Sequence, residues 1–546
     1  MKSAIRLNPA SPLLFMTLVY FTFSAPVPKS FAVVPPPDGG YPNFTTAEGQ
    51  NALKSLTTGA ANTGVGWVSL FSDTTGSFNT GVGAGTLALN TADQNTATGA
   101  GALLLNTFGF QNTANGALAL LSNTEGFFNT AAGASALFTN TTGSFNTAIG
   151  DAALLLNTIG SSNTATGVSA LQSNTTGGFN TATGNGALLN NMTGSSNTAI
   201  GTGALSSNTT GDGNTATGFQ TLFVNTTSYN TAYGYQALLN NISGNDNTAA
   251  GFEALSQNTT GANNTANGSQ ALISNTMGNF NTATGVSALA SNTIAINNTA
   301  AGFHALLSNL GGEGNTATGS NALASNGDGN HSTADGAGAL SASTGEGNTA
   351  VGFAALSANT TGVGNIALGL SAGNGVTTAS NVICIGAVGA NVDNSCYISK
   401  IFNQTSAGGT PVFINSSNKL GTSTSSKRFK EDIKPMDKAS EAIFALKPVS
   451  FRYKKDVDPA GTSQWGLVAE DVEKVNPDLI VRDENGNPYS VRYDQVNAML
   501  LNEFLKEHAT VQELKKEIAA LKAGLQNLTA QIDVGAPPLQ TVVNNH

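Results

Sequence analysis

The residues able to do covalent chemistry lie late in the chain. Ser423, Thr424, Ser425 and Ser426 form a run of hydroxyls that leads into Lys427, Arg428, Lys430 and Lys434. A serine hydroxyl needs a base to become a nucleophile, and a lysine serves when burial and nearby cations lower its pKa from about 10.4 towards 7 or 8. Lys427, Arg428 and Lys434 would supply the repulsion, and assembly would supply the burial. Spacing alone favours a simpler reading, in which Ser425 is a linker residue and Lys430 caps a surface turn. The two cysteines, Cys384 in VICIG and Cys396 in CYISK, each lie in a short β-prone run. In an exported protein they can pair across neighbouring strands, or they stay as free thiols. His304, His331, His508 and His546 are dispersed and neither cysteine has a ligand-like neighbour, so no metal and no cofactor is expected. No histidine is placed for a Ser-His-Asp triad.

Composition narrows what can position such groups. The 546 residues include 64 Gly, and only 10% are charged, against roughly a quarter in an ordinary globular protein. No Lys or Arg lies between Lys54 and Lys400, whereas 12 Asp and Glu do. Nucleic-acid binding needs clustered positive charge to displace counterions, so no nucleic-acid partner is expected.

The charge desert is a repeat. The motif Asn-Thr-Ala-x-Gly recurs with its first Asn at 62, 79, 95, 112 and onward to 315, then with Ser332, Asn348 and a degenerate Asn365, giving 19 units spaced by 17 or 16 residues. The average unit reads N-T-A-x-G-x-x-A-L-x-x-N-T-T-G-x-x. Recurrent Gly, Asn and Thr oppose a helical repeat and suit the corners of a short-stranded coil. The fold expected is therefore mainly β, a repetitive β-solenoid fibre over residues 56–375. Identical positions stacked about 4.8 Å apart tolerate amide ladders and reject repeated charge, which accounts for the missing cations. Units of this size offer little volume for a core, so sharing one among several chains is expected. A calcium-binding roll needs acids in nearly every turn, and 12 scattered acids exclude it. An ice-binding array would need uninterrupted Thr-x-Thr, and here it is interrupted. The section resembles the repetitive heads of trimeric autotransporter adhesins, carried by motifs such as NTAIG at Asn146–Gly150 and Asn197–Gly201.

The ends differ. Lys2 and Arg6, the apolar run Leu13–Phe23, and the small residues Ser30 and Ala32 read as a signal peptide over residues 1–32. A Pro-rich linker is expected over 33–55 and a β-rich transition over 376–424. No membrane span is expected after signal removal. Most of the cations follow Thr424. There a helix from Asp437 to Leu446 is expected, then strands at Val449–Tyr453 and Gln464–Val468 and a short helix Ala469–Val475. An Asn485-Gly486 turn should join strands Leu479–Arg482 and Ser490–Tyr493. A long helix should begin near Gln495. Val511, Leu514, Ile518, Leu521, Leu525, Leu528 and Ile532 alternate by 3 and 4, which is a coiled-coil seam over 508–534 before a disordered tail at 535–546.

Three ordered motifs, SSKRFKEDI (Ser425–Ile433), WGLVAEDV (Trp465–Val472) and YDQVNAMLLNEFLKE (Tyr493–Glu507), closely resemble the C-terminal intramolecular chaperone of phage endosialidase tailspikes, also found in myelin regulatory factor. The resemblance implies a small α+β chaperone domain over 425–507 that trimerises, helps the preceding fibre to fold and then cuts itself before a Ser with a Ser/Lys dyad in S-D-x-R-x-K. Carried over, Ser425 is the nucleophile, Lys430 the base, Arg428 the motif arginine, and Thr424–Ser425 the scissile bond. Ser426 stands where that pattern has Asp.

The expectation is an exported, secreted or surface-exposed homotrimeric fibre, adhesin-like and facing a cell-surface or glycan receptor. Its tail would act as a single-turnover serine autopeptidase, with no other catalysis. The alternative is a tailspike-like enzyme acting on extracellular glycans, which would need paired carboxylates that do not stand out.

Overall fold

The computed structural model describes residues 42–404, 406–415, 417–483 and 485–534. The expected signal peptide, residues 33–41 of the expected Pro-rich linker and the expected tail lie outside the described residues. The chain divides into two compact units, residues 1–403 and 404–546.

The first unit is a β-solenoid in which each coil contributes one three-residue strand to a 22-stranded sheet, from β1 (Thr46–Glu48) to β22 (Cys396–Ile398). Successive strands pair parallel and in register, as in Thr113↔Thr130 and Ala114↔Ala131. Strand alternation explains the motif. In Thr96–Thr98 the central Ala97 is fully buried while both threonines face out, so the inward slot takes only a small residue and the β-branched ones suit the pleated outer face. The glycine that closes each strand takes positive φ, 145° at Gly116, where a Cβ would lie 2.3 Å from the Gly133 carbonyl oxygen. Only glycine allows the next coil that close.

The interior is closed by a single chain. Ala102 and Leu103, and their counterparts in successive coils, are wholly buried in one continuous core. Sharing a core among chains is thus not needed to bury these residues. The inward leucine of each coil sits in the left-handed region, with φ 53° at Leu103 and 52° at Leu120. That conformation costs on the order of 1 kcal/mol, and burying the side chain contributes about 2 kcal/mol, so the leucine still stabilises its coil. Two ladders of buried asparagines complete the interior. Asn112 Nδ2 donates to Asn95 Oδ1 at 3.2 Å, Asn123 Nδ2 donates to Asn106 Oδ1 at 2.7 Å, and both amides also donate to the Gly126 carbonyl, at 2.9 and 2.8 Å. Buried amides are tolerated because nearly all of their capacity is used.

The stacked strands extend beyond the expected limits of 56–375. β1 pairs with Thr63–Val65 at the start, and Ile383–Ile385 pairs with Ile366–Leu368 near the end. At the start Thr45 replaces the motif Asn; near the end Val382 replaces it and Cys384 takes the place of the inward Ala. Both coils therefore keep the register while losing the motif. Of the two arrangements left open for the cysteines, the structure has the free thiols, at Cys384 and Cys396. Their strands are neighbours, but Cys396 is in register with Ile383, and Cys384 with Tyr397. Alternation thus buries Cys384 and turns Cys396 outward. Burial pushes the Cys384 thiol up. The last coil is shorter, and Asn391 Oδ1 accepts the backbone N–H groups of Thr377, Thr378 and Ala379 at 2.9, 2.8 and 2.8 Å.

The second unit holds three two-stranded antiparallel ribbons: β23 (Val412–Ile414) with β24 (Leu420–Thr422), β25 (Val449–Phe451) with β26 (Gln464–Gly466), and β27 (Ile480–Arg482) with β28 (Pro488–Val491). Helix α1 spans Ala469–Val475 and α2 spans Tyr493–Val534. Residues Asp437–Ala445 form 3-10 turns rather than the expected α-helix, and Asp437 lies inside them with φ 42° instead of capping them. Val472, Leu479, Ile480, Val491 and Met499 form the core of this unit. Among the described residues no helix is long and apolar enough to cross a membrane.

Candidate functional site

Beyond β24 the chain passes through Thr424 and Ser425 into a 3-10 turn, Lys427–Phe429. Ser426 is extended at φ −65° and ψ 137°, and its carbonyl accepts the Phe429 N–H at 3.0 Å. The Lys430 N–H donates to the Lys427 carbonyl at 3.2 Å and Lys430 is again extended, so the chain doubles back within five residues. Lys430 Nζ consequently donates to Ser425 Oγ at 3.1 Å. Sequence spacing left this pairing open against a linker reading. The local turn brings the two groups together with no help from distant elements.

The remaining expected residues are placed less centrally. Arg428 lies with its guanidinium carbon 4.9 Å from the ring centre of Phe429, a cation–π contact that braces the turn. Ser425, Lys430, Arg428 and Thr424 are exposed in this single chain. A lysine acts as base only when neutral, and desolvation is the ordinary means of neutralising it. The arrangement therefore has reach but lacks the cover that would activate it. Cys384 and Cys396 belong to the solenoid and take no part.

A second polar cluster escaped the sequence reading. Ser440, fully buried, donates its hydroxyl to the Glu503 carboxylate and accepts from Asn502 Nδ2 at 2.7 Å. Lys506 Nζ donates to Glu503 Oε1 and to the Asp437 carbonyl, both at 2.6 Å. These bonds fasten the Asp437–Ala445 turns to α2. Lys506 first, then Ser440, holds the Glu503 carboxyl below the usual carboxylate range. The available signal was the pair Asn502 and Glu503 inside the apolar run AMLLNEFL.

α2 also carries the heptad seam, and it is uncovered: Leu514, Ile518, Leu521, Leu525, Leu528 and Ile532 are exposed, and Leu500 and Phe504 continue the stripe towards its N-terminus. Trp465 is 82% exposed. Only five residues of this unit form its buried core, and the bare apolar surface of α2 lies outside that cluster.

Residues 425–481 match the family described as chaperone of endosialidase, and the match opens on Ser425 itself. The C-terminal region is thus similar to that family, behind a long β-solenoid. No curated protein and no solved structure matches the chain.

Proposed function

We propose that the chain is an exported homotrimeric fibre whose C-terminal domain aligns three copies and then severs itself from the solenoid at Thr424–Ser425. The observation that carries the cleavage is the 3.1 Å approach of Lys430 Nζ to Ser425 Oγ at the first residue of the matched region. The uncovered seam of α2 supports the assembly, because an a/d stripe of Ile and Leu gains most by packing on copies of itself.

The step balances without a cofactor. Neutral Lys430 takes the Ser425 hydroxyl proton as Oγ attacks the Thr424 carbonyl carbon. The Thr424–Ser425 C–N bond breaks, the new amine of Ser425 takes that proton, and Thr424 is left as an ester on Oγ. Water then hydrolyses the ester, freeing the Thr424 carboxylate and restoring the hydroxyl. Trimer packing around the turn excludes solvent and brings the cations of neighbouring copies close, so cutting waits for assembly.

Expression of the full chain beside Ser425→Ala and Lys430→Ala tests this. The parent should yield a fragment of about 120 residues beginning at Ser425 by N-terminal sequencing, and both variants should stay whole. An intact parent chain in a trimeric preparation would sink the cleavage; a monomeric preparation would sink the assembly.

A further inference from the structure

The solenoid surface is not uniform, and its charge map singles out one stripe. Of the 12 acids between Lys54 and Lys400, none falls on the two residues that follow a buried leucine, in any coil from Leu70 to Leu356. Those two positions instead carry much of the surface apolar bulk, including Phe71, Leu104, Phe138, Leu155, Leu156 and Leu189. Leu89 and Leu156 are 43% and 40% exposed, and the rest of that set are half-buried, packed along the column.

The column after the second ladder asparagine is also free of acids and holds Met192, Ile242 and Leu310, but it is otherwise almost all threonine; the aromatic columns do carry acids. Phe110 and Phe127 stack at 5.1 Å and Phe128 and Phe145 at 5.2 Å, but their columns also hold Asp93, Asp212, Asp246, Glu313 and Glu346. Phe219, Tyr235 and Phe252 stack in a column that holds Asp151. The leading threonines of the strands are also free of charge yet offer hydroxyls rather than apolar bulk.

We propose that the stripe after each inward leucine, uncharged from Leu70 to Leu356 and headed by Lys54 after Leu53, faces the three-fold axis and is where second and third copies of this chain dock. The inference rests on the trimer reading above. Parallel copies aligned by one C-terminal clamp bring the same coil of each chain to the same height, so a charge beside the axis would meet its own kind from two sides. An uncharged column with apolar side chains is the surface that avoids this cost and gains burial.

Single cysteines in the full chain test it, with Cys396→Ser removing the exposed native thiol. Leu156→Cys on the stripe should oxidise to covalent dimers in most chains on non-reducing gels. Asp151→Cys, exposed in the same coil but off the stripe, should stay monomeric on those gels. Leu89→Cys repeats the measurement four coils away. A chain that sediments as a trimer but crosslinks at Asp151→Cys, or fails to crosslink at both leucine positions, overturns the docking face and leaves the trimer standing. A chain that sediments as a monomer overturns both.

Discussion

Asp73 stands one coil before Asn90 in a column of buried amides, and its Oδ1 accepts the Gly76 N–H at 2.8 Å. Burial pushes its carboxyl up from 3.8 to about 6, against the downward pull of bonds from Gly76 and Asn79 and with some help from nearby Asp93. The folded value lies above the unfolded one. Stability should therefore be lower above pH 6 and rise as the pH falls from 6 towards 4, where the folded state takes up the proton first. Asn359 shows that an amide fits such a place, accepting the Gly362 N–H at 2.9 Å and donating to the Gly362 carbonyl at 3.3 Å. Asp73→Asn should protect the first coils by roughly 2 kcal/mol at neutral pH and by almost nothing at pH 4. Amide exchange at Leu70 and Asn79 across that range would read it, and a gain independent of pH would contradict it.

The coil Ser332–Gly347 is expected to be the weak point of the ladders. Serines replace both of its ladder asparagines, and Asn326 Oδ1 and Ser343 Oγ are buried with no partner. Asn90 and Asn225 occupy the equivalent place in two other 16-residue coils, so the backbone accepts an amide there. Ser343→Asn should stabilise this stretch by about 1 kcal/mol, measured as slower local exchange or limited proteolysis.

Gly133→Ala should act in the opposite sense. Gly133 has φ 146°, and a Cβ would lie 2.2 Å from the Gly150 carbonyl oxygen, where only backbone can yield. A loss of about 3 kcal/mol around coils 130–150 is expected, visible as a lower thermal midpoint or as a new protease-sensitive site.

In the second unit, Glu503→Gln should loosen the hold of α2 on the Asp437–Ala445 turns. The Glu503 carboxyl is held low by Lys506 and Ser440, so this anchorage is present above the ordinary carboxylate range and is lost as acid protonates it. Wild-type α2 should therefore detach at its N-terminal end in acid, followed by exchange at Met499 and Glu503, while the Gln variant should lose that pH dependence.

The solenoid was legible because its inward slots are selective. Ala97, Leu103 and Asn106 repeat at fixed phase since each must be small, bulky or amide-bearing to close a coil. The limits were not legible, because register survives substitutions that erase the motif, as with Val382 and Cys384. Nor did anything in the sequence announce leucines at positive φ, a conformation ordinarily left to Gly and Asn. The exact match of α1 to Ala469–Val475 came from ordinary periodicity, whereas Asp437–Ala445 failed as an α-helix where buried Ser440 bonds across to α2. The approach of Lys430 to Ser425 depends on three residues of 3-10 turn, too short for any periodicity to reveal.

The short final coil has one more effect. By occupying three successive amides of Thr377–Ala379, Asn391 withdraws them from any incoming strand at that corner. A stack of near-identical rungs has no intrinsic reason to stop, and an open end would recruit further chains into filaments. Asn391 thus closes with a side chain a corner that earlier coils close with backbone carbonyls such as that of Thr74, while the end of the stack is β22, paired among the described residues with β21 alone.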